Sequence, residues 1–451
     1  MVSIEALDQN LIELKLALPK DTQDVQLDCY FFVPKILDLS EYTYPTELFY
    51  RHLHNEQYLY TDGISLNNEP FRQALSNLAQ QEYKSARHYR RNLSQLCDKV
   101  IRAVIVDIEQ ITAKNTPDQN LVLVEMLIDN LNAMAGDFRE SQPQNKSLIH
   151  HFRYVDEYLN WKIQQAMLKL LSRRSCLSES STVSVSSWVK VSEEYAMEQG
   201  YRLCSLQPLD KKLTRRLYLL KDYINRYRLL DSNRRRKGVL VEQGVFSMAA
   251  FTSMAIATII AFATQQAFGN FTTPFFFALT FSYILKDRFK ELSRNYVFKR
   301  IMSRRCQFEY RITDPLDHWT LATMKDGCSF VSQKDLPEAI KKAIHGARKV
   351  NRNRREDVLY YKKRYNMKNN KKIEHSYHGV KDKILINIQK MLRNIPEESQ
   401  TVYILDSDVS TEAQLEKNQI IYMVVGINNQ HHKVMTLWVN SKGISHCSVS
   451  S

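Results

Sequence analysis

Residues 243–285 read QGVFSMAAFTSMAIATIIAFATQQAFGNFTTPFFFALTFSYIL, a run of 43 residues without Asp, Glu, Lys, Arg or His. A helix needs about 20 apolar residues to cross the hydrocarbon core of a bilayer, so this run has room for two crossings and a turn. The segment Gly269–Pro274 is rich in residues that end helices. The sequence therefore predicts a central transmembrane helical hairpin, with spans at about 245–268 and 271–285.

Basic residues cluster on both sides of this run. Lys211–Lys237 holds 11 basic and 2 acidic residues, and Lys286–Arg305 holds 8 basic and 2 acidic residues. Lys and Arg accumulate on the cytoplasmic side of membrane proteins, and the expected turn carries no charge. We therefore expect a multi-pass membrane protein, with both soluble parts and both termini in the cytoplasm.

Length and composition fit a mostly soluble protein of more than one domain. The chain has 451 residues, a net charge of +14 and a mean hydropathy of −0.41. Its seven cysteines are scattered and form no C-x-x-C pair, which favours free thiols in a reducing compartment. Met1–Pro19 lacks the basic and apolar regions of a cleavable secretory signal.

Apolar periodicity divides the rest of the chain into an α+β multidomain arrangement. Alternation with period two predicts strands and a small α/β unit over 1–68, whereas apolar residues spaced by three and four predict a helical domain over 69–209. Within the latter, the serine-rich segment 173–187 is typical of a flexible loop. Residues 210–305 are expected to form basic helices that flank the hairpin, and 306–451 a cytoplasmic, β-rich α+β domain.

No familiar catalytic motif is present. The sequence contains no G-x-x-x-x-G-K-[ST], G-x-G-x-x-G or G-x-S-x-G pattern. His52 and His54 have no further ligand at a metal-binding spacing, and Asp406–Asp408 fits a turn after a strand better than a Mg²⁺ site. We therefore expect no catalytic residue, metal site or cofactor, although a triad assembled from distant residues would leave no such pattern.

A third basic cluster lies far from the hairpin. Lys341–Lys372 holds 13 basic and 2 acidic residues, interleaved with tyrosines. Three interpretations stay open: a surface for single-stranded nucleic acid, a surface for anionic lipid headgroups, and an ordinary solvated face. The candidate contact residues are Arg352, Arg354, Arg355, Lys362, Lys363 and Arg364.

Small and hydroxylated residues run through the first expected span. Ser and Thr can form hydrogen bonds between helices, and Ala lets helices approach closely. This pattern is compatible with a homo-oligomer, including a pore, and equally with ordinary packing against the returning helix. The absence of ionisable residues inside the run favours ordinary packing, since ion paths are marked by such residues.

Two stretches resemble a group of uncharacterised proteobacterial membrane proteins that have a central hydrophobic hairpin. One is Phe31–Lys35 with the later Tyr44-Pro45 and Phe49-Tyr50, and the other is Leu285–Leu292. The resemblance implies a bacterial inner membrane and brings no activity or site residue with it.

The leading hypothesis is a non-enzymatic, double-pass inner-membrane protein that acts as a sensor, scaffold or effector. Its expected partners are the lipid bilayer, anionic headgroups and unidentified proteins. One alternative is an oligomeric, membrane-disrupting or pore-forming effector. Another is a membrane-tethered enzyme or nucleic-acid-binding protein that uses the C-terminal domain.

Overall fold

A computed structural model describes residues 2–450, apart from 23, 61–65, 67–68, 82–84, 113–114, 174–175, 203–210, 238, 270–271, 304–305, 317, 349–354, 369–377, 396–398, 407–408, 417 and 429. The fold is mixed α+β, which confirms the coarse fold class predicted from sequence. A sandwich of two antiparallel sheets carries two insertions, a helical bundle and a pair of long helices, the first of which is apolar.

The smaller sheet has four antiparallel strands in the order β1-β2-β9-β4. A short helix, α1 (Thr46–Arg51), comes directly before the strand Leu53–Tyr60 in the chain. The strands are β1 (Val2–Asp8), β2 (Leu11–Pro19), β4 (Leu53–Tyr60) and β9 (Gly379–Asn387).

The larger sheet has eight strands in the order β14-β13-β12-β3-β8-β7-β6-β5. They are β3 (Asp24–Pro34), β5 (Asp231–Arg236), β6 (Phe308–Thr313), β7 (Thr320–Val331), β8 (Glu356–Met367), β12 (Gln419–Ile427), β13 (Gln430–Asn440) and β14 (Gly443–Ser450). A separate ribbon pairs β10 (Ser399–Asp406) with β11 (Val409–Glu416).

Alternation along the strands explains the main core. Successive side chains point to opposite faces of a strand, so Leu27, Cys29 and Phe31 of β3 share one face and are fully buried. They join one apolar cluster with Leu14 of β2 and Ile384 of β9, which are also buried. On the opposite face of the large sheet, helix α10 (Glu338–Ala347) covers a second, smaller cluster.

Residues 1–68 and 306–451 were expected to form separate domains, but their strands pair with each other. Strand β3 lies between β8 and β12, and β2 pairs with β9 over nine residue pairs. The first 60 residues therefore complete the same two sheets as the last 145. The periodic pattern predicted strands in both segments but held no information on their partners, because any strand can satisfy the backbone groups of another.

A bundle of six helices is inserted between β4 and β5. The apolar residues that recur every three or four positions form the buried core of this bundle. The bundle is linked to the sandwich by a buried ion pair, in which Arg91 Nη1 lies 2.6 Å from Asp314 Oδ2. The helices are α2 (Glu69–Gln81), α3 (Ala86–Gln110), α4 (Pro117–Glu140), α5 (Lys146–Leu171), α6 (Glu179–Glu198) and α7 (Lys211–Arg226).

Two expectations in this region are wrong. The loop predicted over 173–187 gives way from Glu179 to α6, because the Ser178 hydroxyl accepts a hydrogen bond from the Ser181 amide and caps the helix. The basic helix predicted up to Lys237 ends at Arg226, and β5 follows it. A serine cap thus starts a helix in the serine-rich segment. The arginine-rich residues Arg234–Arg236 form a strand because they pair with β6.

Candidate functional site

Two long helices leave the sandwich from neighbouring strands. Helix α8 (Val239–Phe268) follows β5, and α9 (Thr273–Ser303) leads into β6. Strands β5 and β6 pair from Asp231 with Thr313 to Arg236 with Phe308. Both ends of the helix pair are therefore fixed to the same edge of one sheet.

Helix α8 is the one helix in the described part of the chain that is long and apolar enough to cross a membrane. Its apolar part, Gln243–Ala267, has a mean hydropathy of 2.0. Only Ala249 and Ser253 are buried within that part. This helix therefore presents apolar side chains on nearly its whole circumference, which is unusual for a helix in water.

The large apolar side chains of both helices point outward. On α8, Phe251, Ile259 and Phe262 are 67–69% exposed, and on α9, Phe277 and Phe281 are 65–66% exposed. Contiguous exposed apolar surface of this kind marks an interaction site or a membrane contact.

Several hydroxyl groups of α8 and α9 are bonded within or between the two helices. Thr252, Thr258 and Thr280 each donate to the carbonyl four residues earlier at 2.9 Å. Ser282 of α9 donates to the Ala257 carbonyl of α8 at 3.2 Å, which fixes the two helices side by side. These hydroxyls therefore need no water, as in a helix that lies in hydrocarbon.

The basic residues predicted from sequence to form one contact surface are separated by the structure. Arg352 and Arg354 lie outside the described residues, and Arg355 is exposed just before β8. On β8, Lys362 is half-buried and Arg364 is exposed, whereas Lys363 points into the sandwich and is fully buried. Lys363 is therefore not available to a headgroup or a nucleic acid.

The outer face around Lys362 and Arg364 carries charges of both signs. Alternation in the paired strands places five basic and four acidic side chains on it. Lys237, just beyond β5, adds a sixth basic residue that pairs with Glu309 at 3.1 Å, and Asp28 is buried. Such a mixed face favours solvent over a polyanion. The residues are Arg235, Arg311, Lys325, Lys362 and Arg364, with Asp24, Asp28, Asp231 and Glu309.

Lys363 belongs to a buried polar cluster between the two sheets. Its Nζ lies 2.6 Å from Oδ2 of Asp382 on β9, and both side chains are fully buried. Tyr365 donates its hydroxyl to the same carboxylate oxygen at 2.6 Å, and Gln57 donates to the other at 2.7 Å. The Asp382 carboxylate is thus paired and hydrogen-bonded, as a buried charge must be to persist.

Asp326 on β7 lies in the same interior but is less closely paired. Neither of its carboxylate oxygens has a well-formed hydrogen bond among the described residues, although the Tyr310 hydroxyl lies near enough to lower the carboxyl pKa. Burial raises the pKa of Asp326 to about 6, against the opposing effects of Lys363, Tyr310 and Arg234. The ionised form is therefore the disfavoured one at this position.

Substituting Asp326 by asparagine is expected to stabilise the protein at neutral pH. Since its folded-state pKa lies above the ordinary value of roughly 4, the native chain binds more protons than the unfolded chain between about pH 4 and 6. The free energy of unfolding therefore falls as the pH rises through that range. Asp326→Asn removes this loss, so we expect a gain of at most about 3 kcal/mol near pH 7.5 that shrinks towards pH 5.

Tryptophan fluorescence of the detergent-solubilised chain during chemical unfolding at both pH values measures this effect. Asp314→Asn is the matched control, because Asp314 is equally buried but pairs with Arg91; it should destabilise the chain at neutral pH. A loss of stability in Asp326→Asn near pH 7.5 would contradict the interpretation.

The other residues singled out in the sequence form no site. His54 is exposed and lies 3.6 Å from Glu56, and no group of three metal-binding side chains occurs among the described residues. Asp406 ends β10, and positions 407 and 408 lie outside the described residues. Asp326 and Asp382 escaped the sequence analysis, although Asp382 occupies an apolar position between Val380 and Ile384 of a period-two strand.

No protein-family model, curated protein or solved structure matches this chain. Within the described residues, the exposed apolar surface of α8 and α9 is the strongest indication of function.

Proposed function

We propose that the chain is a double-pass membrane protein whose cytoplasmic sandwich and bundle bind other proteins at a bacterial inner membrane, as a sensor, scaffold or effector. The observation that carries this proposal is the ring of exposed apolar side chains on α8 and α9. A helix that is apolar on all sides needs either burial in protein or a lipid environment, and α8 is not buried.

The attachment of the helix pair supports a topology with both soluble parts on one side. Strands β5 and β6 are hydrogen-bonded neighbours, and the backbone of Lys237 donates to that of Gln307 at 2.8 Å just beyond them. A bilayer that receives both helices must therefore leave the whole sandwich on the side from which they enter. The basic flanks favour the cytoplasm as that side.

The part of α9 just beyond its apolar residues can bind anionic headgroups. In this part Arg288 is 75% exposed, and Lys290 is also exposed. Each basic residue near an anionic membrane surface contributes about 1 kcal/mol to binding. We assign headgroup contact to this part of α9 and not to β8, whose outer face mixes basic residues with acidic ones.

A pore is less well supported. A water-filled path needs polar or ionisable groups along its wall, whereas the hydroxyls of Thr252, Thr258 and Thr264 bond to carbonyls of their own helix α8. An enzyme is also less well supported, because the buried ionisable cluster is enclosed between the sheets.

Cysteine labelling in spheroplasts tests this topology. Thr272 lies in the turn between the helices, and Val183 lies on the exposed face of α6. We expect a membrane-impermeant maleimide to label Thr272→Cys in intact spheroplasts, and to label Val183→Cys only after lysis. No native cysteine lies within residues 243–292, so the native thiols should also stay protected before lysis.

Two results would overturn the proposal. Recovery of the parent chain in a high-speed supernatant without detergent would show that α8 and α9 are not in lipid. Labelling of Val183→Cys before lysis would show that the bundle faces outward.

A further inference from the structure

The uncharged part of α8 is twice as long as the uncharged part of α9. In α8, 26 residues from Gln243 to Phe268 carry no charge, or about 39 Å at 1.5 Å per residue. In α9, only 13 residues from Thr273 to Leu285 are uncharged, or about 20 Å. The shorter helix limits how deeply the pair can enter hydrocarbon.

The contact between the two helices shows which residues of α8 lie beside which residues of α9. Ser282 of α9 lies beside Ala257 of α8. Lys286 follows Ser282 by one helical turn on the same face, so it lies near Ser253, which precedes Ala257 by one turn. The burial of Ser253 and the mostly covered side chain of Lys286, 19% exposed, agree with this register.

The first charged residue of α9, Lys286, therefore lies level with Ser253 of α8. The ten residues of α8 between that level and the sandwich, 243–252, are still uncharged. Asp287 and Arg288 are each 75% exposed, and Glu291 is 57% exposed. Exposed charges of both signs at one level belong in the headgroup region, because burying them in hydrocarbon is strongly unfavourable.

We propose that the helix pair fits a bilayer with a hydrocarbon core of about 20 Å, and that it thins a bilayer of ordinary thickness around itself. This inference rests on the proposed membrane function. A typical core is about 30 Å thick, so the pair is about 10 Å short. A pair that is too short is accommodated by local thinning and by flanking side chains that extend to the interface.

Vesicles of graded thickness test this inference. The full-length Thr272→Cys chain is reconstituted into dimyristoleoyl, dioleoyl or dierucoyl phosphatidylcholine with a minor fraction of phosphatidylglycerol. An impermeant maleimide dye trapped in the lumen then reports whether the turn crosses. We expect the labelled fraction to be roughly tenfold higher in the thin dimyristoleoyl vesicles than in the thick dierucoyl vesicles.

Two variants in the same background shift the charge boundary in opposite directions. Lys286→Leu/Asp287→Leu/Arg288→Leu extends the uncharged part of α9 by about one turn, and should increase labelling in the thicker vesicles. Tyr283→Lys, at a position that is 57% exposed, shortens it and should reduce labelling in dioleoyl vesicles.

The outcomes separate the two proposals. Equal labelling at all three thicknesses would overturn the inference and leave the membrane function standing. Failure of the parent chain to float with any of the vesicles would overturn both.

Discussion

Replacing Ile259 with arginine is expected to release much of the protein from membranes, whereas the same change at Val183 is expected to have no such effect. The two side chains are 67% and 69% exposed, and both lie on helices, α8 and α6. In water, both substitutions would be equally harmless. In a bilayer, an arginine near the middle of a span costs about 2.5–3.5 kcal/mol, a factor of roughly 100 in an equilibrium.

The measurement is the fraction of each full-length variant that stays in the membrane pellet after alkaline extraction. Because the two positions have matched exposure in the protein alone, any difference between them reports the surroundings of α8. Equal retention of Ile259→Arg and Val183→Arg in the pellet would mean that α8 does not lie in hydrocarbon, and the proposed function would fail with it.

The apolar helix was predictable because its signal is local and one-dimensional. A run of 43 residues without charge can be recognised without knowledge of any partner, and α8 covers the whole of the first expected span. The serine-rich segment shows the limit of composition, since Ser178 serves as a helix cap and α6 follows it. Composition alone does not distinguish a cap from a loop.

The interior of the sandwich was not predictable in the same way. Tyr361, Lys363 and Tyr365 alternate with Tyr360, Lys362 and Arg364, so either face of β8 could have been the buried one. The choice depends on Asp382, which comes from another sheet and pairs with Lys363. Interactions between strands that are distant in sequence decide it, and a single sequence carries no record of them.

The Lys363–Asp382 pair leads to the second large prediction. Lys363→Met leaves the Asp382 carboxylate buried without its cation, and it also removes a cation that favours ionisation of the nearby Asp326. Breaking a buried ion pair by removing one partner costs about 3–5 kcal/mol. We therefore expect a large drop in the denaturant midpoint of the detergent-solubilised chain, or loss of the folded protein.

Lys341→Met is the matched control, because Lys341 forms an ion pair with Glu338 at 2.9 Å on the surface of α10. That pair is solvated, so its loss should leave the midpoint almost unchanged. If Lys363→Met does not fold, the denaturant midpoint can be measured on the double variant Lys363→Met/Asp382→Asn. Because this variant lacks both charges, it has no unpaired carboxylate and should recover stability. If Lys363→Met is as mild as Lys341→Met, Lys363 lies in water, and the basic surface predicted on β8 becomes available again to anionic ligands.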